Sequence, residues 1–234
     1  MTDDGGDFKG FSRQALDFLS ELERNNNRTW FEDHRSAYDL SLLPQALAFV
    51  AALGAALRES GAKVAPEPRL GGSLFRIHRD VRFSRDKRPY KTHVGIRIRG
   101  PQRASSGPCV APVYYVEFDA RRLVLGVGIK EFDPQSLRAY RRAVAAQSTL
   151  AELAAIVRRA ENEGHQVIGE LTSRVPTAPS GKDGGDLLRR KGLFVRQQSA
   201  LPPEIRGKGF VRHCARWFDR YHDLHEALCG LAPS

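Results

Sequence analysis

Cysteine is scarce in this chain of 234 residues: Cys109, Cys214 and Cys229 are the whole complement, and no two form a C-x-x-C pair. An odd count without that pair excludes a disulfide framework and a cysteine zinc site, so three free thiols are expected and no metal. Long apolar runs are missing too, none approaching the roughly 20 residues that cross a bilayer. The opening MTDDGGDFKG has no basic stretch followed by an apolar one, so the expectation is a cytoplasmic protein without a membrane partner. Nucleotide fingerprints are also lacking. Gly126-Val-Gly128 has no third glycine, and Gly181-Lys182 is followed by Asp183 where a phosphate loop needs Ser or Thr. The sequence names no cofactor, and it contains no internal repeat.

What is present is ordinary in amount and unusual in placement. Hydrophobic residues at 41% and charged residues at 27% are globular values. One α+β domain over 8–230 is expected, behind a disordered tail at 1–7. The net charge of +10 is focused: between Arg69 and Arg103 eleven Lys or Arg face two acids, Asp80 and Asp86, whereas 26 face 25 elsewhere. A focused surplus of this kind marks a surface for anions more than a general solubilising charge.

Along the chain, Ser12 caps a first helix carrying Ala15, Leu16, Phe18, Leu19 and Leu22 at the 3.6 period, and Asn25-Asn26-Asn27 ends it. An aromatic-led helix starts at Thr29, and Pro44 opens a third that reaches Leu57. After Gly71-Gly72 the pattern changes to period 2. Phe75, Ile77, Val81 and Phe83 alternate with Arg76, His78, Asp80 and Arg82, which predicts a half-buried strand. Arg79 falls on its apolar face and needs an acidic partner. Ser84–Pro89 supplies a turn, and a second strand runs from Tyr90 to Arg99. Beyond a loop at Gly100–Pro112, strands at Val113–Asp119 and Leu123–Ile129 complete a central antiparallel β-meander packed by N-terminal and C-terminal helices. Asp133-Pro134 opens a helix, Ser148 or Thr149 opens another, Thr172–Gly185 reads as an exposed loop, and a final helix spans about Gly209–Leu228.

The densest chemistry lies in the basic hairpin. Guanidinium forks bind phosphate or carboxylate bidentately, lysine adds a point charge, and an aspartate among them orients the forks. The candidate ligand-binding residues are Arg76, Arg79, Asp80, Arg82, Lys87, Tyr90 and Lys91, with Trp30 from the N-terminal helices. His78, His93, Asp80 and Glu117 are considered as converging acid-base groups, but no spacing fixes a nucleophile-base pair, so no catalytic residue is assigned. His222 and His225 on the last helix are weighed as metal ligands and set aside, because a polar helix face carries two histidines by chance.

Three motifs resemble one family: Asn26-Asn27 with Trp30-Phe31, then Arg76-Ile77 with Arg79-Asp80-Val81-Arg82-Phe83-Ser84, then Asp86-Lys87 with Pro89-Tyr90-Lys91-Thr92. Over nearly the whole chain the sequence is similar to the bacterial and fungal domain of unknown function 2461. The resemblance implies an α+β fold and a segment to inspect, with no reaction attached. His78 stands where an aromatic such as tyrosine is expected in many relatives. Three uses of the hairpin follow: binding of a small phosphate- or carboxylate-bearing ligand, binding of nucleic acid, and a structural or protein-interaction role in which the arginines pair with acids.

Overall fold

The computed structural model describes residues 8–100, 111–173 and 182–231. The expected tail at 1–7, Cys109 and much of the two loops lie outside them. Ser12 Oγ accepts the Ala15 N–H at 3.2 Å and opens α1 (Arg13–Arg24), which buries Ala15, Phe18, Leu19 and Leu22. Asn27 then caps α2 (Arg28–Asp33), accepting the Trp30 N–H at 3.0 Å.

The third helix departs from expectation. α3 (Arg35–Ala37) passes through a π turn at Tyr38–Leu42 into α4 (Leu43–Glu59), so Pro44 lies inside a continuous helix. The Leu43 N–H reaches the Tyr38 carbonyl, five residues back. This wider winding just ahead of the proline accommodates a residue that has no N–H and would crowd an ordinary turn. The span Arg35–Glu59 is long and apolar enough to cross a membrane, which the reading of short runs did not anticipate. Its Leu42, Ala46, Phe49, Val50, Leu53 and Leu57 are buried inside the protein.

Strands β1 (Val94–Arg99), β2 (Val113–Phe118), β3 (Arg122–Ile129), β4 (Gln166–Ile168) and β5 (Leu193–Ala200) form one antiparallel sheet in the order β1-β2-β3-β5-β4. The fold is α+β. Asp133 caps α5 (Pro134–Val144), accepting from Gln135 and Ser136 N–H at 2.8 and 3.0 Å. α6 (Gln147–Asn162) begins ahead of Ser148 with no side-chain cap. α7 (Lys182–Arg189) occupies the end of the stretch expected as loop, and the C-terminal helix is two, α8 (Gly209–Asp219) and α9 (His222–Gly230).

The chain forms two compact units: Met1–Ile98, Tyr115–Val124 and Gln198–Trp217 in the first, Arg99–Tyr114, Leu125–Gln197 and Phe218–Ser234 in the second. In the first, Phe11 is fully buried, with Phe118 at 4.6 Å, Phe8 at 5.3 Å and Phe49 at 5.8 Å between ring centroids. Its N–H donates to the Ile205 carbonyl at 2.8 Å and ties the start of α1 to the 3-10 turn Pro203–Arg206. In the second, Phe132 stacks on Tyr140 at 4.6 Å, and the Tyr140 hydroxyl donates to the Leu187 carbonyl at 3.1 Å.

Gly10 has φ +109°, and an added Cβ would sit 2.3 Å from the Arg206 carbonyl carbon; Gly61, at φ +92°, faces open space. Gly61→Ala therefore costs only the left-handed conformation, about 1 kcal/mol. Gly10→Ala adds a collision with backbone and is expected to cost at least about 3 kcal/mol. Urea unfolding midpoints of the two variants measure the difference.

Candidate ligand-binding hairpin

The basic segment does fold back on itself, but its outgoing limb is not a regular strand, and the strand expected from Tyr90 to Arg99 is regular only over β1, Val94–Arg99. Lys91 N–H donates to the Ile77 carbonyl at 2.7 Å and Arg79 N–H to the Pro89 carbonyl at 2.8 Å. Nearer the sheet, Phe75 N–H donates to Gly95 and Arg97 N–H to Ser73, at 2.9 and 2.7 Å. The outgoing limb thus advances two residues, 77 to 75, while the return limb advances four, 91 to 95. The two extra residues bulge at Thr92-His93. Only isolated bridges, Leu74↔Ile96 and His78↔Tyr90, mark the limbs. The expected strand over 75–83 is corrected accordingly, and the side chains give the reason. Asp80 Oδ1 accepts the Arg82 N–H at 3.2 Å and Asp86 Oδ1 the Arg88 N–H at 3.0 Å. Local side-chain bonds of this kind divert donors that a ladder would need. Phe83, expected on the apolar face, is 95% exposed.

The same two carboxylates organise the charge. Arg82 forks onto Asp80 at 3.0 and 2.7 Å. Asp86 takes the Arg79 guanidinium at 2.6 Å and that of Arg88 at 2.8 Å. Arg79 thereby has the acidic partner its position demanded, and it also donates to the Arg88 carbonyl at 3.3 Å. Hydrogen bonds from Arg88 and then Arg79 hold the Asp86 carboxyl far below the usual carboxylate range. Lys87 donates to the Val81 carbonyl at 3.0 Å, and Lys91 to the Arg76 carbonyl at 2.7 Å. The Arg76 and Arg85 side chains are exposed and have no partner among the described residues.

Two aromatic expectations separate. The ring that meets Tyr90 is Phe31, stacked at 4.1 Å, whereas Trp30 lies on His34, also at 4.1 Å. Tyr90 is buried at 4% exposure, and His78 packs 5.2 Å from it. Asn26 fixes this corner. Its side-chain nitrogen donates to the Tyr90 carbonyl and its oxygen accepts the Tyr90 N–H, both at 3.0 Å.

At the foot of the hairpin, β1 and β2 turn Arg97, Tyr115 and Glu117 to the half-buried face of the sheet. His93 Nε2 lies 3.9 Å from Glu117 Oε2, and the Tyr115 hydroxyl donates to that same carboxylate. Phe75 sits between Lys91 and Arg97, with the cations 5.3 and 5.1 Å from its centroid. Burial lowers the pKa of both His93 and Lys91, and Glu117 partly opposes the fall at His93. Of the four considered acid-base groups, His93 and Glu117 meet, while His78 and Asp80 go elsewhere. Tyr115 was passed over in the sequence. Its signal was the i, i+2 spacing to Glu117, which puts both on one face of a strand.

The second unit holds its own polar clusters. Tyr221 donates to Glu163 at 2.8 Å and accepts from His165, while Arg220 pairs with Glu163 at 2.6 Å. His222 and His225 do not converge on a point. His222 Nδ1 lies 3.1 Å from the Tyr114 hydroxyl, and His225 stacks on Tyr114 at 4.3 Å and takes the Cys229 thiol at 3.6 Å. Among the described residues no group of three or more His, Cys, Asp or Glu side chains is arranged to hold a metal.

An antiparallel sheet with helices before and after it, carrying an arginine-rich hairpin that two aspartates hold in shape, defines a small α+β protein. The chain belongs to the family of conserved hypothetical proteins called DUF2461, whose model matches residues 14–226. No curated protein and no solved structure matches it.

Asn26→Ala leaves both polar groups of the Tyr90 backbone without their partner, and a loss of about 2–3 kcal/mol in urea unfolding is expected. The buried His225 ring supplies a pH test. Burial, then the field of His222, pushes it from 6.5 down to about 4. The unfolded chain therefore takes up this proton first as pH falls, and stability that is whole above 6.5 is lost by about 3 kcal/mol on reaching pH 4. His225→Leu is expected to flatten that limb of the stability profile. An unchanged limb would mean the ring is not held neutral.

Proposed function

We propose that the hairpin is a docking surface for single-stranded nucleic acid, gripping phosphates with its arginines and offering Phe83 to a base. The observation that carries this reading is Phe83 itself. A 95% exposed phenyl ring, with Arg82 5.9 Å from its centroid and exposed Arg85, Lys87 and Arg88 close by in sequence, is costly to leave in water. It suits a partner that has both flat π faces and negative charge. Asp80 and Asp86 do not cancel this surface, since each fixes an arginine in a defined direction. The surplus of nine positive charges in the segment supports an electrostatic footprint.

A second reading has its own support. The exposed Arg76 guanidinium has no described partner and lies in sequence beside the foot of the hairpin, where Lys91 and Arg97 flank Phe75. A small phosphate- or carboxylate-bearing ligand would use this foot, with His93 and Glu117 as groups able to move a proton. Of the residues expected to bind it, Arg79, Asp80, Arg82 and Lys87 act in shaping the loop. Tyr90 packs against Phe31, so the ligand contacts would fall to Arg76 and Lys91.

Fluorescence anisotropy with labelled single-stranded oligonucleotides tests the first reading. Phe83→Ala is expected to weaken binding about tenfold or more, the loss of one stacked base. Arg85→Ala should reduce the slope of log affinity against log salt by about one phosphate contact. Equal binding by parent and Phe83→Ala would remove the reading. Tight binding of a small anion that is lost in Arg76→Ala would favour the second.

A further inference from the structure

With no hairpin residue in its lining, a cleft of about 610 Å³ in the first unit is formed by α1, the turn at Ala120-Arg121 and Arg206. We infer that this cleft is a separate binding site for a small molecule carrying two or more negative charges as phosphate or carboxylate. The inference does not depend on how the hairpin is used.

Local structure explains why these arginines gather. Arg13 and Arg24 stand at the two ends of α1, with Leu16 and Ser20 on the stripe between them. The tight turn between β2 and β3 brings in Ala120 and Arg121, its backbone held by Asp119 Oδ1, which accepts the Arg121 and Arg122 N–H at 2.7 and 2.8 Å. Arg206 ends the 3-10 turn that Phe11 N–H fastens to the entry of α1. Three chain segments far apart in sequence thus each deliver a guanidinium to one concave surface.

The charges do not cancel. Four arginines face two acids, a surplus of two. Glu23 pairs with Arg121, and Asp17 lies 3.4 Å from Arg13. Arg24 Nε donates to the Ser20 carbonyl at 3.4 Å, which leaves its terminal nitrogens available. Arg206 is exposed and has no partner among the described residues. Glu23 also acts on Arg88 and Arg122, so it is already shared among several cations. Like charges brought together around a concavity repel, and a multivalent anion relieves that repulsion while accepting forked hydrogen bonds. Leu16 and Ala120 add apolar surface, and the volume lies within the range of small-molecule sites.

Isothermal titration calorimetry with pyrophosphate and with citrate, at low and moderate salt, tests the inference. Circular dichroism would check that each variant is folded. The expected result is saturable binding by the parent, weakened at least tenfold in Arg206→Ala and in Arg24→Ala and unchanged in Phe83→Ala and Arg76→Ala. Arg206→Lys, which keeps the charge and loses the fork, should fall between. Binding that survives both cleft substitutions but is lost in Arg76→Ala would overturn this site and leave the foot of the hairpin as the anion site. No saturable binding of either anion would overturn it outright, marking the cleft as a solvated charged surface, while leaving the oligonucleotide result untouched.

Discussion

One side-chain amide anchors the basic hairpin of the first unit. Asn26 presents to Tyr90 the same donor and acceptor that a neighbouring strand would present, and so it substitutes for a β partner at a point where the hairpin has left the ladder. Tyr90 would otherwise bring a backbone donor and acceptor into an apolar corner unmatched, which folded proteins avoid. With the amide in place, the phenol ring stacks on Phe31, and the limb that follows, through Lys91 and His93, is directed toward the sheet. The hairpin that carries Arg76 to Arg88 is therefore anchored by an uncharged group.

Once the limb is anchored, two carboxylates decide its shape. Asp80 and Asp86 each bind both a guanidinium and the backbone N–H two residues ahead, so each closes a small ring of chain and orients a cation with the same atoms. Exposed ion pairs contribute little to stability as a rule. Their effect here is geometric: they hold the loop open between residues 79 and 89 and prevent it from zipping into a flat ribbon, which leaves Phe83 facing solvent.

Much of this was legible in the sequence, and the failures have physical causes. Ser12 and Asp133 announced helix starts because capping is local, involving atoms within three residues, whereas Asn27 was read as ending α1 and its capping of α2 was missed. Arg79 announced a need for an acidic partner because period 2 put it among apolar neighbours; it is half-buried, and its acid proved to be Asp86 in the turn. The strand over 75–83 was misread because the alternation was real while the aspartates competed for its donors, an effect that periodicity does not register. Pro44 does stand in the first turn of α4, but the π turn that joins α4 to α3 leaves no mark in hydrophobic spacing. Phe31, which stacks on Tyr90, was not among the candidate residues, whereas its neighbour Trp30 was; the two differ by one position along α2. The arginines of the cleft were invisible for a different reason: Arg13, Arg121 and Arg206 are far apart in the chain, and the local charge density that singled out the hairpin is low around each of them.

The way the first unit is threaded has a consequence for its making. Its last stretch is Gln198–Trp217, and that stretch supplies Ile205, which receives the Phe11 N–H, and Phe210, whose ring lies 4.9 Å from that of Phe49. A nascent chain emerging from the ribosome therefore lacks these two contacts for most of its synthesis, while Phe8, Phe49 and Phe118 are already there for Phe11. The contacts of this unit are therefore incomplete until the C-terminal fifth has appeared, and contacts of such sequence separation are slow to close. The first apolar surface to be made is thus among the last to be completed.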